Sequence, residues 1–276
     1  MNNKTKIMLG LSILTAGTLA AGATGTFAWF TTNKTATATY QKVTVVGTQG
    51  NLNVAIEGVT TGTGSTKESG TNVFAEGGTI SDVSSKDGLT FYQPDWKNQA
   101  GNDQEVNTVK NVSDKQGYFV QYLINVSNAS TEGSAITAKL TGLTITATKD
   151  GESADLAKWV RVAVLPGATK KTDKNFLEKG AAEATLYQTD TSLNSYVDGT
   201  TTTADKKMNI NTTTIFEAKS VLDKELSIDT ELKANKENSA NIGVAVWVEG
   251  TSATSQDAIK QAQISVALTF SAEDVA

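Results

Sequence analysis

The chain has no cysteine and no histidine. Without cysteine there is neither a disulfide nor a lipoprotein anchor, and a chain of 276 residues buries enough core to do without cross-links. Without histidine the commonest general base, the commonest zinc ligand and every Ser–His triad are gone. Proline occurs only at Pro94 and Pro166, so little interrupts backbone pairing. No strict alternation of strand and helix patterns runs through the chain, which argues against a parallel sheet. Acidic side chains outnumber basic ones, 29 to 24, for a net charge of −5. Such a surface repels nucleic-acid phosphates and anionic headgroups, so neither is an expected partner. What is abundant is Thr, Val, Ala and Gly, a strand-forming palette.

The N-terminus departs from this palette. Lys4 and Lys6 form a basic head, Ile7 to Leu14 is apolar, and small residues follow up to Gly25. Thr26-Phe27-Ala28 places small residues at −3 and −1 of a cut after Ala28. These are the three regions of an export signal in order. The rival reading is an uncleaved anchor, because residues 7 to 30 carry no charge and are long enough to span a bilayer. Its Gly-, Ala- and Thr-rich second half inserts poorly compared with a Leu-rich helix. The expectation is a signal helix over 1–28, removed on export to a secreted, extracellular or cell-surface location, with membrane contact only through the uncleaved signal.

Beyond the cut, period-2 runs separated by turn residues predict strands. Thr39 to Val46 and Asn51 to Glu57 read as a hairpin about Gly47-Thr48-Gln49-Gly50. Thr60 to Gly78 and Asp95 to Val112 read as loops, with a short strand, Leu89 to Gln93, stopped by Pro94. Gly117 to Ser127 alternates strongly. Ala135 to Thr148 is a second long strand bent near Gly142. Trp159 to Leu165 is continuous and apolar except for Arg161, and its Val160, Val162, Val164 stripe suits a strand buried on one face. Asn175 to Leu186 is compatible with a short helix, and Ser255 to Gln261 with one or two helical turns. Ala240 to Glu249 and Gln263 to Ser271 close the pattern as strands. The predicted fold is all-β: an antiparallel sandwich with Greek-key crossings, long loops and short helical turns.

Two patches resemble a known group. Gly25-Thr26-Phe27-Ala28 followed by Trp29-Phe30-Thr31 is similar to the cleavage region of the TasA/camelysin family of Gram-positive bacteria. That family uses a dedicated signal peptidase (SipW type), which cuts before an aromatic-containing start. Trp247-Val248-Glu249-Gly250, then Gln256-Asp257-Ala258, then a terminal strand ending Leu268-Thr269-Phe270, resembles the C-terminal end of exported relatives of that group. The resemblance covers about a fifth of the chain. It implies a jelly-roll-like sandwich, the peptidase as a processing partner cutting between Ala28 and Trp29, and a structural role in an extracellular matrix, biofilm, fibre or surface layer. The expected organisation is then 1–28 signal peptide, 29–40 extended N-terminal strand and 41–276 β-sandwich.

An extended segment can add to an open sheet edge of the next subunit, main-chain hydrogen bonds supplying affinity and alternate side chains filling pockets. Phe30, Ala36, Ala38 and Tyr40 share one parity and, with Trp29, form the candidate polymerisation strand. Head-to-tail addition of this kind builds filaments. The same segment serves equally as the first strand of its own sheet, since both arrangements satisfy the same backbone groups. The alternative function is therefore a monomeric adhesion or ligand-binding module. Trp247 reads as a sheet-face aromatic, Glu249-Gly250 as a strand end, and Asp257 as a cap of a short helix.

No catalytic motif is present, and no enzymatic activity or cofactor is expected. Camelysin-type relatives have been classed as metallopeptidases, but this chain lacks the His-Glu-x-x-His ligands of that chemistry. A carboxylate pair or a Ser–Lys dyad leaves no signature here. Asn102-Asp103-Gln104-Glu105, Asp150-Gly151-Glu152 and Asp173-Lys174-Asn175 lack the spaced acidic loop that wraps calcium, so no metal is expected.

Overall fold

Alternating apolar residues become strands whose odd and even side chains face opposite ways. The computed structural model describes residues 37–47, 52–58, 72–76, 79–96, 106–131, 133–149, 156–171, 176–190, 195–199, 206–207, 226–250 and 262–275. Its strands are β1 (Thr37–Gly47), β2 (Leu52–Gly58), β3 (Asn72–Glu76), β4 (Thr79–Val83), β5 (Tyr92–Trp96), β6 (Val106–Asn111), β7 (Val120–Asn128), β8 (Ile136–Thr148), β9 (Val160–Pro166), β10 (Thr169–Lys170), β11 (Leu177–Glu178), β12 (Thr185–Tyr187), β13 (Ser195–Tyr196), β14 (Lys206–Lys207), β15 (Leu226–Leu232), β16 (Ser239–Glu249) and β17 (Gln263–Asp274). Two short 3-10 turns, Ala157–Trp159 and Ala234–Lys236, are the only helical elements among the described residues. None is long and apolar enough to cross a membrane.

Eleven strands form one sheet system with two arms. One arm carries β1, β3, β8, β15 and β17, and the other β2, β7, β9, β12 and β16. Strand β4 joins them. Its Thr79–Ser81 segment pairs with β1, while Asp82 and Val83 pair with Val248 and Glu249 of β16. Most pairings are antiparallel, but β1 runs parallel to β17 and β4 parallel to β16.

The main core takes the inward side chains of both arms. Leu52, Val54 and Ile56 of β2 join Tyr122, Ile124 and Val126 of β7, Val160, Val162 and Val164 of β9, and Ile242 to Val248 at even positions of β16. From the other arm come Leu140 and Ile145 of β8 and Ile264, Val266, Leu268 and Phe270 of β17. Burial of side chains like these is worth about 1.5–3 kcal/mol each before entropy is charged against it.

The outer face of the β9–β16–β7 arm is covered as well. Ala163, Leu165, Ala245, Trp247 and Phe119 meet Phe91, Val112, Ala168, Phe176 and Leu177 in a second core. Phe91 and Phe119 stack at 3.7 Å, and Phe91 meets Trp247 edge-on at 5.6 Å. Strand β9 is therefore buried on both faces, and an unbroken apolar run suits it better than alternation. Two features let the cover close down. Gly88, at φ +71°, lies flat on Ala163, whose Cβ would stand 2.4 Å from an added methyl. Gln121 donates to the Gly88 carbonyl at 3.0 Å and accepts from the Leu177 amide at 2.9 Å, joining the two covering loops.

Several expectations are corrected. β1 and β2 are not a hairpin, because β1 has β17 on one side and β3 and β4 on the other, while β2 pairs with β7. The stretch 60–78, read as loop, contains β3. The polar stretch 95–112 contains β6, which pairs with β5 through Pro94 opposite Val109. A two-stranded ribbon tolerates this proline because a strand edge there needs no donor. Residues 176–186 form β11 and the start of β12 rather than a helix. Gly180 packs against the Gly167 backbone, where a Cβ would come within 2.4 Å. The bend near Gly142 is a register shift between the Thr269–Gly142 and Phe270–Leu140 pairs, which leaves Thr141 as the extra residue. Residues 215–216, 221–222 and 255–261 lie outside the described residues.

Candidate functional site

The chain holds a single arginine among many lysines, and Arg161 sits in the middle of an apolar strand. On β9 it falls on the outer face, directly across from Trp247 of β16 in the antiparallel register. Glu249 lies two residues along β16, so strand periodicity puts it on the same face as Trp247. Arg161 and Glu249 form an ion pair through Nη1 and Oε2, with side chains 1% and 2% exposed. The Trp247 indole N–H donates to the same carboxylate oxygen at 3.0 Å.

The remaining guanidinium donors reach away from the sheet. Arg161 Nε donates to Gln188 Oε1 at 2.9 Å and Nη2 to the Ser195 carbonyl at 2.9 Å. The Gln188 amide in turn donates to the Asp190 carbonyl. A planar fork with fixed donors can address three acceptors at once, which an ammonium on a flexible stem does not do. One side chain therefore ties β9, β16, Gln188 and Ser195 together. Ser84 and Ser85 face Glu249 from the strand-end side, and Ser84 Oγ accepts from the Val197 amide at 2.8 Å.

Burial dominates the electrostatics. It pushes the Arg161 guanidinium below its ordinary value, against the pull of Glu249. Burial likewise raises the Glu249 carboxyl above the usual carboxylate range, and Arg161, Trp247, Ser84 and Ser85 offset this only in part. Gly250 completes the strand end. Its amide donates to the Val83 carbonyl at 2.8 Å, and a Cβ there would stand 3.1 Å from a carboxylate oxygen of the buried Asp82.

Beside this cluster, residues 86–92 and 196–199 line a half-open cavity of about 360 Å³. Lys86, Asp87, Thr90 and Tyr92 line it from one segment, and Tyr196, Val197, Asp198 and Gly199 from the other. Neither Arg161 nor Glu249 lines it; Arg161 reaches its edge only through the Ser195 carbonyl.

Of the residues singled out in the sequence, Trp247, Glu249 and Gly250 come together at the end of β16. Asp257 lies outside the described residues. So do Ala28, Trp29, Phe30 and Ala36. Ala38 and Tyr40 belong to β1, where they pair with Ile80 of β4 and Ile264 of β17 respectively. The three acidic candidates at 102–105, 150–152 and 173–175 also fall outside. Among the described residues, no three Asp, Glu, His or Cys side chains gather to hold a metal ion. Sequence reasoning noted Arg161 only as an exception. The signal that identifies its role is its being the sole arginine, placed where a charge is most expensive.

Comparison with protein-family models, with curated proteins and with solved structures finds no match.

Proposed function

We propose that the chain is an exported structural subunit of an extracellular fibre, biofilm matrix or cell-surface layer, folded as a jelly-roll-like β-sandwich and assembling through strand exchange between copies. The observation that carries the reading is the slot that β1 fills. Its walls are β17, paired in parallel, and β3 with β4, paired antiparallel. All of them follow β1 in the chain, so a neighbour's β1 meets the same backbone pattern. Exchange of an N-terminal strand conserves these hydrogen bonds and needs no threading. The link Gly47-Thr48-Gln49-Gly50 that follows β1 is rich in glycine, as a hinge requires. Exchange passed from copy to copy in one direction gives an open filament. Cleavage after Ala28 would free the strand from its signal and so time assembly to export.

A second reading is a monomeric surface adhesion or ligand-binding module. It is favoured by the pairing of β1 on both sides within its own chain from Thr37 onward. Light scattering on the exported chain separates the two. A fibre subunit grows with concentration, and an excess of a synthetic peptide of residues 29–47 caps it. A monomeric module keeps one size and ignores the peptide.

A further inference from the structure

The cavity between residues 86–92 and 196–199 has walls that are held in place on both sides. Ser84 and Tyr92 exchange backbone hydrogen bonds of 2.7 and 2.9 Å, and Ser84 Oγ accepts from the Val197 amide. Asp87 Oδ1 accepts from the Leu89 and Thr90 amides at 2.9 and 2.7 Å, which fixes the turn carrying Lys86 and Thr90. Arg161 grips the Ser195 carbonyl just before Tyr196. Gly199 lies flush on the Tyr92 ring, where a Cβ would come within 2.9 Å. A site built on segments anchored in this way is formed before a ligand arrives.

The lining selects among ligand classes. One lysine against two aspartates leaves it net negative, which disfavours phosphates and carboxylates. A quaternary ammonium finds little free charge, because the Asp87 carboxylate already accepts from its own turn and Lys86 stands next to it. A purely aliphatic ligand would strip water from Lys86, Asp87, Thr90 and Asp198 with nothing in exchange. What remains is a neutral ligand with many hydroxyls and an apolar face. Tyr92 and Tyr196, both half-buried, bring aromatic surface and phenol oxygens to the lining, with Gly199 packed on the Tyr92 ring. Asp198 and the Thr90 hydroxyl can accept from hydroxyls, and the lysine and the phenols donate.

We propose that this cavity is a binding site for a neutral mono- or disaccharide unit of a glycan. Its volume of about 360 Å³ falls in the range of small-molecule pockets. The site does not depend on whether the chain polymerises, since none of its lining residues belongs to β1.

The test uses the full chain exported from a bacterial host and purified as released. Ligand-observed saturation-transfer NMR is run with glucose, galactose, N-acetylglucosamine and cellobiose, each up to about 10 mM, with choline chloride and sodium phosphate as parallel arms. At least one neutral sugar should show saturable transfer, and choline and phosphate none. Tyr196→Ala should weaken that binding about tenfold, and Lys86→Ala, at an exposed rim position, about threefold with an unchanged circular-dichroism spectrum. If Tyr196→Ala fails to fold, Lys86→Ala and the milder Tyr196→Phe carry the test. The proposal is overturned if no sugar binds, if choline or phosphate binds in place of a sugar, or if sugar binding is indifferent to the folded variants.

Discussion

Replacing Arg161 by methionine removes the charge and keeps much of the side-chain volume. The change leaves the Glu249 carboxyl buried without its cation, and strips the Ser195 carbonyl and Gln188 Oε1 of a donor. Breaking a buried pair from one side costs about 3–5 kcal/mol, and the two lost hydrogen bonds fall partly within that figure. Against a total stability of about 5–15 kcal/mol, the melting temperature should fall by roughly 8–16 °C. Urea unfolding followed by far-ultraviolet circular dichroism measures the loss directly. The pH dependence is the sharper part. Burial already holds the Glu249 pKa above 4.5, and losing the guanidinium leaves it higher still. A carboxyl raised in the folded state takes up its proton there before the unfolded chain does. Its contribution is fully present below about pH 4.5 and is lost as pH rises through the folded pKa. The methionine variant should therefore be worst near about pH 8 and recover toward about pH 5 more steeply than the parent. Glu249→Gln leaves the Arg161 guanidinium buried without its anion and should also destabilise, but without the recovery toward low pH, because the guanidinium keeps its charge throughout. The double variant should lose less than the two singles summed. Arg161→Lys should recover only part of the loss, since one ammonium does not serve three acceptors. A deficit for Arg161→Met under about 1 kcal/mol, or one independent of pH, would refute the reasoning.

Gln121→Leu should cost about 2–4 kcal/mol, because the Gly88 carbonyl and the Leu177 amide both lose their partner in a buried setting. Hydrogen exchange should then speed up at Leu177 and in residues 88–91 while β8 and β17 stay protected. Gly88→Ala should destabilise by about 2–4 kcal/mol in a denaturant titration, from a methyl forced onto Ala163 at a positive φ. Mass spectrometry of the exported protein should find Trp29 as its first residue; an intact Met1 or a start far from Trp29 would remove the basis for timed release of β1.

Where the sequence was easy to read, one physical pattern dominated. Strand β17 alternates cleanly because one face meets the main core, β7 and β16 keep a stripe of apolar residues on that face although their other face is covered too, and the bounds of all three fall within three residues of the expectation. Strand β2 was found for the same reason, but its partner was not. A period of two says which way side chains point and nothing about which strand lies alongside, so β1 and β2 looked like neighbours when they belong to opposite arms. Strand β9 read as a strand buried on one face, which its burial on both faces corrects, because the cover over its outer face stayed hidden. That cover is assembled from Phe91, Phe119, Phe176 and Leu177, which are scattered over loops with no period of their own. Strands β3 and β6 were missed because their stretches are polar, and the strand expected at Leu89 to Gln93 instead runs Tyr92–Trp96, through the Pro94 that seemed to end it. The cluster at the end of β16 was half legible. Trp247, Glu249 and Gly250 stood out as a motif, but nothing local in the sequence pointed to Arg161, 88 residues earlier, as the partner of Glu249.

If copies assemble by exchanging β1, holding that strand in its own sheet must stop assembly. The chain has no cysteine, so a pair introduced at the register partners Val43 of β1 and Ala75 of β3, and oxidised while the protein is dilute and monomeric, forms the only disulfide and ties β1 into its own sheet. Sedimentation velocity of Val43→Cys/Ala75→Cys protein under oxidising and reducing conditions reads the result. Exchange predicts monomers when the lock is closed and polymers when it is opened. A size distribution that does not respond to the lock, whether monomeric or polymeric, would contradict the claim.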